Sequence, residues 1–565
     1  MPTEKKLTGY PSIDKPWLKY YTEEAIKAKL PECNIYEYLW ENNKKHLEDI
    51  AITYFYKNIS YRELFENIDK IADSFISSGV KKGDVVTICI PNTPETIYIF
   101  FALAKISAVC NLLDPRASEN VMLEHINIAD SKLLITIAEC YPMFKAMKAK
   151  MTVETIIVVN VTETLEAFDD IQSVNKNDKI WSDFILSGKT NSFFETEKYE
   201  NCPVCILHTG GTTGIPKGAV LCHKNFHSLV VQWKELGLFY ERGASLLSLM
   251  PPFVSFGLTA NTYVPLICGM RLILIPTYEP EKVVDLIEKF KPNCVPASPA
   301  HWEIMCNSEK FRNMNLNFLK VAFIGGDTLN IKIENGLNEI FAKSANGIKI
   351  IKGYGMTETT TAITMTFADR INIETSVGIA LPQTNIGIFD DNNNELPYNA
   401  VGEICTLSSN IMMGYYKKDV ETNNMIKRHQ DGKVWLHTGD MGCINEDGIL
   451  FIKGRLKRII IRYDGIKIYP VDIESKLLEC KMIHTCAVVG HADPYHVQGR
   501  IPVAYIVLND NVQDKNKAAE FIEKFCNKNI FDYAVPQKYY YVEELPYTAN
   551  GKIDFVKLET EEGKV

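Results

Sequence analysis

The segment Val204–Phe226, VCILHTGGTTGIPKGAVLCHKNF, joins two apolar runs through a loop of glycines and threonines. The first run, Val204–Leu207, is typical of a buried strand. Glycine lets the backbone turn its N–H groups toward an anion, threonine hydroxyls add donors, and Lys217 adds a positive charge. The loop does not match the Walker pattern G-x-x-x-x-G-K-[ST], because Pro216 and Gly218 flank the lysine. Taken alone, the loop indicates either a polyphosphate-binding site or a solvated turn between strands.

The size and composition of the chain indicate a folded protein with several cores. It has 565 residues, of which 46% are hydrophobic and 23% are charged, and no long Pro-, Gln- or Ser-rich tract. The formal net charge of -9 argues against sequence-independent binding to nucleic acid, which needs a concentrated basic surface. We therefore expect no nucleic-acid partner.

The chain carries no evident targeting or membrane signal. Its N-terminal residues, MPTEKKLTGYPSIDKPW, lack the apolar core of a signal peptide, and the C-terminal EEGKV is not a peroxisomal tripeptide. The most membrane-like stretch, Thr96–Leu113, is barely long enough to span and contains Lys105. We expect a buried helix leading into a strand there, no transmembrane segment, and a cytoplasmic location.

Fifteen cysteines without a secretory signal are expected to be reduced thiols. Cys202 and Cys205 form a CxxC, but the chain has no second such pair to complete a tetrahedral zinc site. The spacing of Cys480, His484 and Cys486 is loose. We interpret these cysteines as buried structural residues.

Strand-like and helix-like segments alternate through most of the first 450 residues, which predicts α/β layers with largely parallel sheets. The predicted strands are Val85–Ile90, Leu133–Ile137, Thr155–Val161, Leu272–Ile275 and Lys320–Ile324, and the predicted helices include Pro280–Phe290 and Asn330–Phe341. From Val377 to Tyr416 the pattern changes to strands and turns, which predicts a β-rich subdomain.

The last hundred residues predict a separate α+β domain. Its elements are Ile459–Arg462, Thr485–Gly490 and Pro502–Leu508 as strands, and Val471–Cys480 and Asn516–Asn527 as helices. About 100 residues is a normal size for an independent domain. We predict a large domain of residues 1–456, a small mobile domain of residues 457–565, and a hinge at Lys457.

Four further motifs follow the glycine–threonine loop in order. They are Gly353–Thr359 (GYGMTET), Trp435–Asp440 (WLHTGD), Gly454–Lys457 (GRLK) and Pro546–Asp554 (PYTANGKID). Together with TGGTTGIPKG they closely resemble the adenylate-forming superfamily, which includes acyl-CoA synthetases, peptide-synthetase adenylation domains and firefly-type luciferases. The resemblance spans about Ser60 to Asp554.

The resemblance implies a site for ATP and Mg²⁺. Residues implied to bind the nucleotide are Thr209, Gly210, Gly211, Thr212, Thr213, Gly214, Lys217, Gly326, Asp327, Gly353, Tyr354, Asp440 and Arg455. Among these, Tyr354 stacks on adenine, while Asp440 accepts from the ribose hydroxyls. Glu358 is the implied Mg²⁺ ligand, Thr357 contacts phosphate, and Lys552 is the main catalyst, bridging the acid's carboxylate and the α-phosphate as charge develops.

Superfamily members alternate between two arrangements of the small domain. The resemblance implies rotation about Lys457 after adenylation, so that a second face, with Gly465 and Lys467, lies beside the pantetheine of coenzyme A. Asp327 and Gly465 stand where relatives differ from this chain in residue or loop length.

The acid is predicted to be apolar. In the pocket segment Pro251–Leu258 (PPFVSFGL), Val254 occupies the position where α-amino acid adenylation domains carry an aspartate and many other relatives carry a histidine. A buried ammonium without a carboxylate would be strongly penalised, so an α-amino acid is disfavoured. The predicted pocket residues are Phe253, Val254, Phe256, Gly257, Trp302 and Gly325, although the same residues would also suit an ordinary core.

The sequence therefore predicts an ATP-dependent ligase that activates a carboxylic acid, with a medium- or long-chain fatty acid preferred, and transfers it to coenzyme A. One alternative is a stand-alone enzyme that loads a separate carrier protein. A luciferase-like oxygenase and a binding protein with a degenerate site are further alternatives. Retention of Lys552, Glu358, Asp440 and Arg455 disfavours the degenerate site.

Overall fold

Two large sheets with helices packed against them contain most strands of the protein. The computed structural model describes residues 7–165, 174–188, 199, 201–209, 217–234, 236, 238, 240–276, 282–327, 329–343, 347–367, 371–496, 498–548 and 552–560. The predicted loop residues Gly210, Gly211, Thr212, Thr213 and Gly214 lie outside the described residues.

The larger sheet has fourteen strands among the described residues. In order across the sheet they are Asn385–Phe389, Gly402–Leu407, Val434–Ile444, Ile449–Arg455, Ser376–Ala380, Thr361–Met365, Ile351–Met356, Val321–Ile324, Cys294–Ala297, Ser245–Ser248, Arg271–Leu274, Ile50–Tyr54 and Lys57–Ser60, with Ile426–Arg428 paired to Val434–Ile444. The pairing is parallel from Ile50–Tyr54 to Ile351–Met356 and antiparallel beyond it. The strand Ile351–Met356 is thus where the α/β part meets the β-rich part.

The second sheet is mainly parallel and has eight strands among the described residues. Their order is Gly414–Tyr415, Lys217–Cys222, Pro203–Thr209, Val109–Leu112, Val85–Cys89, Leu133–Ile137, Thr155–Val159 and Lys179–Ile180. Lys217–Cys222 runs antiparallel to Pro203–Thr209. The two strands that flank the glycine–threonine loop therefore pair directly, and the loop joins them.

Helices cover the sheets, and several begin with a side-chain cap. The α-helices of this part are Pro11–Asp14, Glu23–Lys27, Ile35–Asn43, Tyr61–Ser77, Pro94–Lys105, Glu119–Ala129, Tyr141–Met147, Trp181–Leu186, His223–Lys234, Ser255–Leu258, Val264–Ile267, Val283–Phe290, Pro299–Asn307, Glu309–Arg312, Ile331–Lys343 and Asp419–Met425. Ser60 and Glu63 form a reciprocal capping box at the start of Tyr61–Ser77. Such caps satisfy backbone donors that a helix start leaves unpaired.

The membrane-like stretch forms a buried helix, Pro94–Lys105, followed by the strand Val109–Leu112. Lys105 lies at the end of the helix, and its Nζ is 2.6 Å from Asp69 Oδ1. The prediction of a buried helix leading into a strand is confirmed. Within the described ranges, no helix is long and apolar enough to cross a membrane.

A small α+β unit follows the large sheet. Its strands are Ile460–Ile461, Lys467–Ile468, Ile483–Ala492, Arg500–Leu508 and Lys538–Tyr541, and its helices are Pro470–Leu478, Lys515–Asn529 and Phe555–Thr560. The last three strands form one sheet with its own hydrophobic core. The predicted fold class is confirmed: layered α/β sheets, a β-rich part and a small α+β domain.

The buried carboxyl of Glu95 makes the stability of the protein depend on pH. It lies on the helix Pro94–Lys105, its Oε1 accepts from the hydroxyl of Thr164, and its Oε2 has no partner among the described residues. Burial raises its pKa from 4.5 to about 7. The native state therefore keeps a proton that the unfolded chain releases above pH 4.5, and stability falls as pH rises from 4.5 to 7, by about 3 kcal/mol in all.

Glu95→Gln removes this proton linkage. We expect the variant to gain thermal stability relative to the wild type as pH rises from 5 to 8, measured as the difference in unfolding midpoints across that range. Glu154→Gln, at an exposed carboxylate, is the matched control and should show no such trend. A difference that stays constant with pH for Glu95→Gln would contradict the argument.

Candidate active site

Three of the predicted motifs meet at the carboxyl ends of parallel strands in the larger sheet. The pocket segment follows the strand Ser245–Ser248, Gly325–Asp327 follow Val321–Ile324, and Thr357–Thr359 follow Ile351–Met356. Parallel strands bring their carboxyl ends to one edge, and ligands of α/β sheets bind in the crevice outside that edge. The fold therefore gathers segments that are about 100 residues apart in the chain.

Close packing at this edge explains two glycines of the GYG motif. A Cβ on Gly353 would lie 2.7 Å from Cζ of Phe323, and a Cβ on Gly355 would lie 1.6 Å from the carbonyl oxygen of Thr361. No side chain fits at Gly355 unless the backbone moves. The strand can thus approach its neighbours closely only with glycine at these positions.

A polar group, in which Asp440 and Tyr354 are buried and Arg455 is half-exposed, joins the GYG motif to the β-rich part. Asp440 and Arg455 are direct cross-strand partners, and Arg455 Nε is 2.8 Å from Asp440 Oδ1. The hydroxyl of Tyr354 donates to Asp440 Oδ2 at 2.7 Å. Burial raises the pKa of the Asp440 carboxyl, and the charges of Arg455 and Lys552 oppose this increase. The structure thus brings together four residues from four separate motifs.

The hydroxyl of Tyr354 donates its hydrogen bond to Asp440, and this bond fixes the direction of the tyrosine ring. Asp440 uses one oxygen for each partner, so both oxygens retain lone pairs that can accept further donors. The carboxylate is consequently suited to hydroxyl groups that approach from the open side of the crevice.

Glu358 lies in the short turn Thr357–Thr359 and is buried. The hydroxyl of Tyr415 donates to Glu358 Oε1 at 2.5 Å, and Lys217 Nζ lies 5.1 Å from the centre of the Tyr415 ring. Burial raises the pKa of Glu358, whereas the Tyr415 hydrogen bond and the charges of Arg455 and Lys217 oppose it.

Glu358 suits a Mg²⁺ ion by its chemistry and surroundings. The hydroxyl of Tyr415 bonds one oxygen of the carboxylate, and a carboxylate oxygen is a ligand that Mg²⁺ prefers. Thr357, which precedes it, starts the same turn and so lies beside the carboxylate. Tyr415 carries no recognisable motif, and sequence reasoning missed it.

The ends of the glycine–threonine loop lie next to this acid. Thr209 ends one strand, Lys217 begins the next, and the two residues are paired in register. The Thr209 hydroxyl donates to the carbonyl oxygen of Lys217 at 3.3 Å. Lys217 thereby stands at the base of the loop and faces Tyr415.

Gly325, Gly326 and Asp327 separate the polar part of the site from aromatic side chains. A Cβ on Gly325 would lie 3.5 Å from the carbonyl oxygen of Gly353 and 3.8 Å from Cζ of Phe256. Gly326 has a φ of +94°, which favours glycine. The charge of Asp327 lies close enough to act on Arg455.

The pocket segment is buried and tightly packed. A Cβ on Gly257 would lie 1.9 Å from the carbonyl oxygen of Pro251, so this turn requires glycine. Phe253 and Phe256 are buried, while Val254 is partly exposed. The ring of Phe256 contacts that of Phe323, a residue that sequence reasoning missed although it directly precedes Ile324-Gly325.

Trp302 does not join these aromatic residues. Its indole N–H donates to the carbonyl oxygen of Phe323 at 3.0 Å, and its ring packs against Phe341 in a separate hydrophobic cluster. Trp302 therefore contacts the backbone of Phe323 from a separate hydrophobic cluster. Phe253, Val254, Phe256 and Gly257, by contrast, lie together in one segment.

The small domain places Lys552 near the same site. Its side chain is exposed, and its charge opposes the rise in the pKa of Asp440 that burial causes. The carbonyl oxygen of Lys552 accepts a hydrogen bond from the N–H of Thr548 at 2.7 Å. Two further contacts join the domains: Lys332 Nζ donates to the carbonyls of Cys480 and Ile483 at 3.3 and 2.7 Å.

Lys457 and Gly465 lie in two exposed turns of the segment that follows Arg455. Lys457 is exposed in the turn Leu456–Arg458, between the last strand of the large sheet and the first of the small domain. Gly465 has a φ of +82° in the exposed turn between the strands Ile460–Ile461 and Lys467–Ile468.

Hydrogen bonds to Glu403 stabilise the turn that carries Asp440. Glu403 Oε1 accepts from the N–H of Gly439 at 3.0 Å, and Glu403 Oε2 lies 2.7 Å from His437 Nδ1. Gly439 has a φ of +71°, so the turn favours glycine. Sequence reasoning singled out the TGD turn but missed Glu403, which lies more than thirty residues earlier.

Comparisons with known proteins give a consistent result. The profile of the family described as AMP-binding enzyme matches residues 39–416, and that of the AMP-binding enzyme C-terminal domain matches residues 472–552. A long-chain-fatty-acid–CoA ligase of Bacillus subtilis is 27% identical over 557 residues, covering 95% of this chain and 96% of that protein. A 4-coumarate–CoA ligase of Vanilla planifolia is 26% identical and covers 94% of both chains.

Solved structures share the fold over nearly the whole length. ATP-bound MatB from Rhodopseudomonas palustris has a TM-score of 0.83 at 22% identity, with 94% of this chain and 99% of that chain covered. The anthranilate CoA ligase AuaEII, in complex with anthranoyl-AMP, has a TM-score of 0.82 at 21% identity, with 94% and 98% covered.

Replacing Tyr354 with Phe removes the hydroxyl that donates to Asp440. We expect KM for ATP to rise about tenfold, because a hydrogen bond to a charged group contributes about 1.5 kcal/mol or more. Tyr240→Phe is the matched control, since that buried hydroxyl has no partner among the described residues. Steady-state kinetics with ATP as the varied substrate checks the prediction, and equal KM values for both variants would refute it.

Proposed function

The chain belongs to the AMP-binding enzyme family and is an acid–CoA ligase, and we propose that its acid is a medium- or long-chain fatty acid. The observation that carries the activation chemistry is the convergence of Lys217, Arg455 and Lys552 on the buried carboxylates of Glu358 and Asp440. Positive charges of the large domain and of the small domain thus act on these carboxylates, where we place the polyphosphate.

In the first step, a carboxylate oxygen of the acid attacks the α-phosphorus of ATP. A new C–O–P linkage forms, the bond to the β-phosphate breaks, and pyrophosphate leaves with the bonding electrons. Little covalent help is needed from the protein, because positioning and charge neutralisation dominate reactions at phosphorus. Lys552, whose side chain is exposed and whose charge acts on Asp440, is our choice for the group that neutralises the developing charge.

The nucleotide roles follow from the contacts. We assign the ribose hydroxyls to Asp440, whose two oxygens retain acceptor capacity, and the adenine face to Tyr354, whose ring is fixed by that carboxylate. Thr209 and Lys217, at the base of the glycine–threonine loop, are assigned to the phosphates. Glu358 is assigned to Mg²⁺, which on binding neutralises phosphate charge.

The second step transfers the acyl group. The thiolate sulfur of coenzyme A attacks the acyl carbon, the C–O bond to AMP breaks, and AMP leaves. The charge of Lys552 acts on Asp440, while Gly465 lies in an exposed turn elsewhere on the small domain. We propose that rotation about Lys457 replaces the Lys552 face by the Gly465 face between the two steps.

Apolar residues support the choice of a fatty acid. Val254 is partly exposed beside buried Phe253 and Phe256, and no carboxylate or imidazole occupies its position. An α-amino acid would leave its ammonium without a partner there. The relative from Bacillus subtilis is a long-chain-fatty-acid–CoA ligase, which favours the same class of acid over the aromatic acids of other relatives.

A panel of acids tests this choice. We expect ATP–pyrophosphate exchange to be fastest with saturated acids of medium or long chain, slower with 4-coumarate and anthranilate, and absent with α-amino acids. Product analysis with coenzyme A and with a carrier protein then identifies the acceptor. Exchange that is fastest with an aromatic acid would overturn the fatty-acid proposal while leaving the ligase activity intact.

Lys552→Ala separates the two half-reactions. We expect pyrophosphate exchange to fall about 100-fold or more, since removing one preorganised charge at a developing anion costs that much. Thioester formation from a supplied acyl-adenylate should be unchanged. Lys557→Ala, at an exposed lysine on the following helix, is the control. Normal exchange by Lys552→Ala would remove this residue from the catalytic assignment.

A further inference from the structure

A lysine in the first turn of one helix joins the large domain to the small domain. Lys332 lies on the helix Ile331–Lys343, and its Nζ donates to the carbonyl oxygens of Cys480 and Ile483 at 3.3 and 2.7 Å. Both acceptors belong to the small domain: Cys480 follows the helix Pro470–Leu478, and Ile483 begins the next strand. One ammonium of the large domain thus bridges two backbone carbonyls of the small domain.

The position of the two acceptors favours a cation. Carbonyl groups at the end of a helix lack partners within the helix, and the helix dipole places partial negative charge there. Cys480 comes two residues after the end of Pro470–Leu478, and its carbonyl oxygen also accepts from the N–H of Ile483 at 3.2 Å. The side chains of Cys480 and Cys486 are buried in the core of the small domain. This segment therefore meets Lys332 with its backbone and not with its thiols.

The helix that carries Lys332 is fixed to the strand of the GYG motif. Glu334 and Lys352 are both buried and form an ion pair. Lys352 lies on the strand Ile351–Met356, two residues before Tyr354. Separation of a buried ion pair is strongly disfavoured, because it leaves an uncompensated charge in the interior. Lys332 therefore projects from a helix whose position is fixed relative to the proposed nucleotide site.

Two further polar contacts between the domains are exposed ion pairs. Lys453 Nζ lies 3.1 Å from Asp472 Oδ1, and Lys467 Nζ lies 3.4 Å from Asp391 Oδ2. The four side chains are between 32% and 81% exposed, and ion pairs of this kind contribute little because water screens them. Lys332 is partly buried, and both of its acceptor residues are buried, so water competes less for these hydrogen bonds.

We propose that Lys332 is a positioning residue for adenylation, and that its two hydrogen bonds hold the small domain in the arrangement seen in this structure. We call this arrangement docked. The inference rests on the rotation about Lys457 proposed above, since both bonds must break before the Gly465 face can replace the Lys552 face. Breaking them returns an ammonium and two carbonyls to water, which compensates most of the loss and lets the small domain leave. Lys332 acts through Lys552, by setting how often that residue is presented to the site.

The proposal predicts a shift between the two half-reactions. Adenylation needs the docked arrangement and thioester formation needs the rotated one, so the ratio of their rates follows the ratio of the two populations. Lys332→Met keeps an unbranched side chain of similar length and removes the charge. A hydrogen bond from a charged donor changes an equilibrium by about tenfold or more, so the ratio of pyrophosphate exchange to thioester formation should fall by about that factor.

Both rates are measured on the full-length protein, with whichever acid of the panel is most active and with its acyl-adenylate supplied for the second step. An aromatic acid in place of a fatty acid therefore leaves this test intact. Lys343→Met, at the exposed far end of the same helix, is the matched control and should not change the ratio. Lys332→Arg retains a cation with several donors and should keep the ratio within about threefold of the wild type. A ratio that is unchanged in Lys332→Met, or equally low in Lys332→Arg, would overturn the proposal.

Hydrogen–deuterium exchange tests the contact without any substrate, so its result does not depend on the function proposed above. We expect the amides of residues 479–486 to exchange about threefold faster or more in Lys332→Met, because undocking exposes this segment more often. Lys343→Met should match the wild type, and unfolding midpoints establish that each variant folds. Unchanged exchange in Lys332→Met would show that its bonds do not hold the small domain. Faster exchange with an unchanged ratio of rates would also overturn the proposal, because the contact would then not govern the two steps.

Discussion

The buried carboxylate of Asp440 is the interaction on which the arrangement of the active site depends. It receives the hydroxyl of Tyr354 from the parallel part of the sheet and the guanidinium of Arg455 from the neighbouring antiparallel strand. An unpaired buried charge is costly, so neither partner can be lost without strongly disfavouring the ionised state. These two contacts hold the α/β part and the β-rich part together at the point where the nucleotide is proposed to bind.

This arrangement requires the backbone to pass close to its neighbours at three glycines. Gly353 and Gly355 leave no room for a Cβ, and Gly257 packs directly against the carbonyl of Pro251. Gly353 and Gly355 lie within the strand Ile351–Met356, and Gly257 lies in the helix Ser255–Leu258. The constraint is steric and local, and it accounts for glycine at these positions independently of any contact with a substrate.

Sequence reasoning identified the residues that recur as motifs and missed those that support them. Tyr354, Asp440, Arg455 and Glu358 were named from short patterns, and the strand and helix bounds followed from apolar periodicity to within a few residues. Tyr415, Glu403 and Phe323 were not identified, because their roles arise from pairing between strands that are distant in the chain. Trp302 was placed in the pocket by composition alone, whereas burial and its bond to the Phe323 carbonyl assign it to the packing behind.

The balance of charges explains why one cation belongs to a separate domain. Asp440 is matched by Arg455, and Glu358 is matched by Lys217 across the ring of Tyr415. The large domain by itself therefore presents the carboxylates of Asp440, Glu358 and Asp327 against the cations of Arg455 and Lys217. Lys552, from the small domain, adds a third cation whose charge acts on Asp440, and Lys332 joins the two domains through the carbonyls of Cys480 and Ile483. Under the proposed rotation about Lys457, undocking of the small domain would withdraw the charge of Lys552 from Asp440 once adenylation is complete.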